Sequence, residues 1–314
     1  MPQGSFLQIA LNKKKLKCEK FLNEMDLVLS WDSMIQAVKP YYQEQIMGRT
    51  RTELKMLLKI YCLQQWYDLS DPGVEEAIYD RSSFQKFLGI DLLAVNVPDE
   101  STILHFRHLL EKHALQKQFF SLIKDILDKQ GMFVKNGTIT DAAIIHAPSS
   151  TKNNSRKRDP EMSSTKKNNQ YHFGMKAHIG VDDSKGLVHS VAMTTAKVHD
   201  RQKFRELLTG EEKAVWGDKA YGKKEDKKEF RQKGIFYGIP PKGSRYVKVS
   251  NRQKHRAKKW PSVRAKVEFP FRIIKCLWHH SKVRYKGLEK NGLQFYMLFG
   301  LANLYLVRKE LLNS

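Results

Sequence analysis

Cysteine is scarce in this sequence, and the three that occur stand far apart. Cys18, Cys62 and Cys276 form no CxxC pair and leave an odd count, which argues against a disulfide framework and against a cysteine-based structural zinc site. Long apolar runs are also missing. The most apolar stretch, 293–307, contains Gln294 and Asn303 and falls short of the ~20 residues that cross a bilayer. It reads as a buried helix. The N-terminus has no signal-peptide core, because Asn12 to Lys15 and Lys17 interrupt it. These absences point to a cytoplasmic protein, neither secreted nor membrane-spanning. Acidic residues are in the minority: 33 Asp and Glu face 56 Lys and Arg, a formal net charge of +23 at pH 7. The excess is spread along the chain. A protein this basic meets a polyanion, since neutralising phosphates releases condensed counterions, and nucleic acid is the leading partner class.

The apolar fraction of 41% over 314 residues is enough for a real core. Residues 1–130 read as an all-α region. Leu54, Leu57, Leu58, Tyr61 and Cys62 recur at helical spacing within 53–67. Asp71-Pro72-Gly73 then breaks the chain before Val74. After Pro98, Asp99 or Ser101 can cap a helix carrying Ile103, Phe106, Leu109 and Leu110. Leu115, Phe119, Leu122, Ile123 and Ile126 repeat the pattern.

The periodicity changes at Gly131. Residues 138–145 are β-branched and apolar, a buried strand. The polar tract 149–170 is too poor in apolar residues to order itself and reads as a mobile loop. Strands are expected near 173–181 and 187–194, a helix at 200–209, and a short strand at 214–216. A charged helix (223–233), a strand (235–239) and helices at 263–280 and 288–312 complete the chain. Three strands before the first helix make an antiparallel meander, and later strands add through helical crossovers. The expected fold class is therefore α/β: a mixed sheet flanked by helices in residues 131–314, preceded by the helical region 1–130.

Cutting or joining a phosphodiester requires charge stabilisation on the attacking and leaving oxygens together, which two divalent cations ~3.5–4 Å apart supply through hard oxygen ligands. Acidic residues inside apolar strands are the place to look. Asp141 is flanked by Ile139 and by Ala142 to Ile145; the other reading is a strand-end aspartate without a role. Asp218 directly follows Ala214-Val215-Trp216-Gly217; the other reading is a helix N-cap. Glu268 shares a helical face with Arg264 and Lys275, since at 100° per residue the three fall within ~60° of one another. Pro270 disfavours a straight helix there, and a lone Glu among lysines otherwise reads as a solvated face.

The stretch Thr138 to Ile144, Arg158-Asp159-Pro160-Glu161-Met162, the run His172 to Asp182, Gly217-Asp218-Lys219-Ala220-Tyr221-Gly222 and the block Arg264…Glu268-Phe269-Pro270-Phe271…Lys275 resemble insertion-sequence transposases of the insertion-sequence-five group. So do Gln65 to Asp71, Pro98 to Ile103, Val283 to Leu288 and Leu301 to Tyr305. The resemblance covers nearly the whole chain. It implies a ribonuclease-H-like DDE catalytic domain behind a helical DNA-binding region, in a bacterial, nucleoid-associated protein. It makes Asp141, Asp218 and Glu268 the catalytic, metal-binding triad, with two Mg²⁺ ions for which Mn²⁺ could substitute. Arg264 and Lys275 become its partner cations. Pro261 stands where the tyrosine of that motif falls, with Trp260 beside it: a base-stacking or a packing residue. The implied partners are double-stranded DNA, as terminal inverted repeats and as target, and further copies of the chain in the DNA complex. The implied reactions are strand cleavage and strand transfer.

Other candidates follow from position. Lys176 and His178, two apart on the strand next to that of Asp141, are either phosphate contacts or a solvent-facing pair. Asp200 is the rival to Asp218, with an N-cap as its other reading. His279-His280 has no neighbours at ligand spacing. Lys219 is placed to neutralise a phosphate. The basic stretch Arg245 to Lys259, with Lys254, Arg256 and Lys258, is a candidate DNA track.

Overall fold

The computed structural model describes residues 16–42, 51–93, 96–154, 156–167, 169–241, 250, 251, 258 and 260–313. Helices α1 (Lys17–Val28), α2 (Trp31–Val38), α3 (Leu54–Tyr67), α4 (Asp71–Asp80), α5 (Ser82–Leu88), α6 (Glu100–Lys112) and α7 (Leu115–Lys129) precede the first strand. Their ends follow the local chemistry. α3 stops where Asp68 turns left-handed at φ 51°. α4 begins because the Ser70 hydroxyl accepts the Gly73 N–H at 3.0 Å, with Pro72 in the first turn, where no donor is needed. Asp99 caps α6 by accepting the Thr102 N–H at 2.7 Å.

The sheet consists of β1 (Gly137–His146), β2 (Ser163–Lys167), β3 (Gln170–Asp182), β4 (Val188–Thr195), β5 (Ala214–Trp216) and β6 (Phe236–Gly238). Its order is β2-β3-β1-β5-β6, with β4 also pairing β3. β1, β3 and β4 run antiparallel, whereas β5 joins β1 and β6 joins β5 in parallel. Between β5 and β6 lies α8 (Lys224–Gln232), the crossover that parallel neighbours require. This mixed sheet behind an all-α region is a ribonuclease-H-like fold.

Three expectations are corrected. Within the tract expected as a loop, residues 163–167 form β2, whose backbone pairs with β3 and needs no apolar side chains to do so. The tract is also tied down by Asp159 and Glu161, which accept the Gly287 and Leu288 N–H groups at 2.7 and 2.6 Å. The expected helix at 200–209 is two 3₁₀ turns, Asp200–Lys203 and Arg205–Leu207. The expected helix at 263–280 is broken into α9 (Trp260–Arg264), a 3₁₀ turn (Ala265–Val267), α10 (Glu268–Arg272) and a π turn (Ile273–Leu277). Pro270 sits in the first turn of α10, where its missing N–H costs no hydrogen bond.

α11 (Leu288–Leu311) closes the chain. One apolar core joins the N-terminal helices, the sheet and this helix. A smaller one (Phe204, Val215, Tyr221, Phe230 and Ile239) lies under β5 and β6. Among the described residues, no helix is long and apolar enough to cross a membrane.

Candidate active site

β5 is only three residues long and pairs with β1 at Gly137–Ala214, Thr138–Val215 and Ile139–Trp216. Two residues beyond the last pair, Asp141 and Asp218 stand side by side where β5 has ended and the edge of β1 is open. Both carboxylates are bonded to their own backbone: Asp141 Oδ1 accepts the Ala142 N–H at 2.8 Å, and Asp218 Oδ1 caps the 3₁₀ turn Lys219–Tyr221 through Ala220 N–H. Burial pushes the Asp141 carboxyl up to about 6, and Asp218 adds to the rise. The Ala142 N–H, Arg264 and Lys167 oppose it. A carboxylate surrounded by cations yet raised shows that desolvation is the larger effect.

Arg264, at the end of α9, is near enough to act on Asp141, and its Nε is buried without a hydrogen-bond partner among the described residues. Lys275 Nζ donates to the Ile144 carbonyl of β1 at 2.7 Å. Burial pulls its pKa down, and Lys167 pulls it further. The structure thus gathers Asp141, Asp218, Arg264, Lys275 and Lys167. Lys167, on β2, was hidden from sequence reasoning by its place in a polar tract.

Glu268 is exposed at the start of α10. Among the described residues, no group of three His, Cys, Asp or Glu side chains is placed to hold a metal ion. The expectation of two Mg²⁺ ions, or Mn²⁺ in their place, on Asp141, Asp218 and Glu268 is corrected accordingly. The broken helix leaves Glu268 turned to solvent, while each aspartate has one oxygen on a backbone N–H.

Lys176 and His178 do not share the face of Asp141. Asp141 lies opposite Ile179, whereas Ala142 and Ile144 lie opposite His178 and Lys176. Alternate residues of a strand point to opposite faces, so both project from the other side of the sheet. There His178 is fully buried, with its Nε2 2.7 Å from Thr194 Oγ1. Burial lowers its pKa to about 4. Lys176 Nζ lies 2.9 Å from Asp200 Oδ1 and donates to the Val198 carbonyl at 2.8 Å. Asp200 is thereby occupied as the counter-ion of Lys176.

Trp260 packs edge-on against Trp216 and Phe236, with ring centroids 6.4 and 6.0 Å away. His280 is buried and bonded to the Gln65 carbonyl at 2.7 Å, with Asp68 3.2 Å from its Nδ1. Lys219 and Lys258 are exposed. Lys254 and Arg256 lie outside the described residues.

The mixed sheet and the helical region before it place the chain among ribonuclease-H-like folds. Residues 133–304 match the family model described as Transposase DDE domain, and residues 11–109 match that of Transposase domain (DUF772). The chain belongs to the DDE transposase family, and DNA binding comes with that membership.

Proposed function

We propose that the chain is a DNA transposase of the insertion-sequence-five type, which binds the terminal inverted repeats of its element and cuts and rejoins DNA strands at the Asp141–Asp218 edge of the sheet. The observation that carries the reading is the register of β1 and β5, which sets these two aspartates side by side within the matched DDE domain. An Asp141 carboxyl raised to about 6 suits a general base at neutral pH. It would take the proton of the attacking water or 3′ hydroxyl, while Arg264 and Lys275 balance charge on the phosphate. Glu268 is assigned to the same reaction on the resemblance. Residues 1–130 serve as the DNA-binding region and 131–314 as the catalytic domain, with Lys219, Lys258, Lys254 and Arg256 along the DNA path and further copies of the chain in the complex.

The test is strand cleavage of DNA carrying the element ends. Asp141→Ala and Asp218→Ala should bind this DNA and leave it uncut; cutting at the wild-type rate by either variant would sink the assignment. The lack of a three-carboxylate cluster among the described residues favours a second reading, a catalytically silent DNA-binding relative. A wild-type protein that binds the ends and never cuts them would decide for it.

A further inference from the structure

We infer that the groove between residues 150–159 and 283–286 is a second DNA contact, which grips the phosphate backbone of the bound duplex about six base pairs from the aspartate pair. The inference rests on the DNA binding that comes with family membership, and only the stated distance depends on reading Asp141 and Asp218 as the cutting centre.

The groove lies on the line of β1. β5 pairs with β1 only as far as Ile139, and another segment takes up the far end of the same edge. The His146 N–H donates to the Ser281 carbonyl at 3.2 Å, and the Val283 N–H donates to the His146 carbonyl at 2.8 Å. Beyond this bridge the chain continues into Ala147 and Pro148, which line a groove of about 690 Å³ with Lys157, Arg158, Tyr285 and Lys286. Asp141 and Ala147 are six positions apart, about 20 Å along an extended strand. A DNA strand advances about 3.4 Å per nucleotide along the duplex axis. A duplex laid along β1 therefore presents one phosphate to the aspartates and another to the groove.

Both walls are fixed. Asn153 accepts the Lys157 N–H at 3.3 Å and donates to the Lys157 carbonyl at 2.8 Å, which closes the first wall on itself. Arg158 Nε donates to the Ser149 carbonyl at 2.9 Å, and its guanidinium lies 5.4 Å from the centre of the Phe173 ring. A guanidinium held in this way loses less freedom when it meets a phosphate. The second wall is anchored to the helical region, where Arg284 donates to Asp68 Oδ1 at 2.6 Å and to the Leu69 carbonyl. Asn291 of α11 accepts the Arg284 and Tyr285 N–H groups, both at 3.1 Å. The groove thus sits where the helical region meets the sheet.

Charge selects the occupant. Lys157, Arg158 and Lys286 are exposed, and none of them is paired with a carboxylate among the described residues. Other surface cations are paired, as Lys86 is with Glu19 and Arg205 with Glu229. Asp159, which also lines the groove, is occupied by the Glu161 and Gly287 N–H groups at 3.0 and 2.7 Å. Three anchored cations without counter-ions along one groove fit a phosphate backbone, whose neutralisation releases condensed counterions.

Lys157→Ala with Lys286→Ala removes two charges from exposed positions. Binding of end-containing duplex is measured across a salt series, with the melting temperature alongside. The expected result is an unchanged melting temperature and a slope of log affinity against log salt lowered by about two, one for each phosphate contact. Lys157→Arg with Lys286→Arg keeps both charges and should keep the slope. Replacing single phosphates of the DNA by uncharged methylphosphonates locates the contact. Wild type should lose affinity at positions about six nucleotides from the cut, where the alanine variant should be indifferent. An unchanged slope would overturn the inference, and if fewer copies of the chain then assemble on each DNA, the groove belongs to a second copy instead. Differences between the two proteins confined to the cut itself would also overturn it. A wild type that binds and never cuts sinks the reading of the aspartates alone, because the salt slope still decides the groove.

Discussion

The side-chain amide of Asn303, on α11, is bonded to both backbone groups of Val188, accepting its N–H at 2.8 Å and donating to its carbonyl at 2.7 Å. A helix side chain thereby completes the start of β4, where Asn303 is fully buried. Asn303→Leu keeps the volume and orphans both backbone groups. The expected loss is about 2–6 kcal/mol, from about 1–3 kcal/mol for each of two unpaired groups, read from a urea unfolding midpoint. A midpoint that does not move would show that β4 is held by its pairing with β3 alone.

The Asp141 carboxyl links stability to pH. Its pKa is about 6 in the folded chain against the ordinary 3.8. The folded state therefore takes up the proton more readily, and the contribution to stability is full below pH ~4 and is lost as pH rises through ~6. Asp141→Asn abolishes that dependence. The variant should gain on wild type between pH 4 and 6 by about 1–3 kcal/mol, while cleavage by wild type should fail below pH ~6 as the base is protonated. Parallel stability curves for the two proteins across that range would refute the assignment.

Lys176 and Asp200 test a structural against a DNA-binding role. Lys176→Met leaves Asp200 without its cation, and Lys176→Met with Asp200→Asn removes both charges. The single variant should lose more stability than the double, since an uncompensated charge is worse than none. Neither should alter the salt dependence of DNA binding. A weaker salt slope in either variant would put Lys176 back on the DNA path.

Lys219 makes the opposite prediction. It is exposed beside Asp218, so Lys219→Ala should leave the fold intact. It should also lower the slope of log affinity against log salt by about one, the signature of one phosphate contact. An unchanged slope would remove Lys219 from the interface.

The helical region and the strands around the site were legible because each element carries its own period. Leu57, Leu58, Tyr61 and Cys62 follow the turn of a helix, and the apolar run ending at Trp216 marks a buried strand. β2 was not legible, because an edge strand such as Ser163–Lys167 is held by main-chain bonds to β3 and leaves no apolar signature. The 3₁₀ turns after Asp200 were hidden for a related reason. Asp200 is fixed by Lys176 from another strand, a contact that no local window contains.

Taken alone, the sequence determined that this chain would seek a polyanion, that helices would precede a mixed sheet, that Asp141 would lie inside an apolar strand and that Asp218 would directly follow one. Charge, periodicity and flanking residues are local quantities, written in neighbouring positions. Tertiary structure alone decided that the register of β1 with β5 brings the two aspartates together, and that its register with β3 turns Lys176 and His178 to the other face. It likewise left Glu268 exposed at the start of α10. Register and burial depend on partners dozens of residues away, and one residue of slip would exchange the two faces of the sheet.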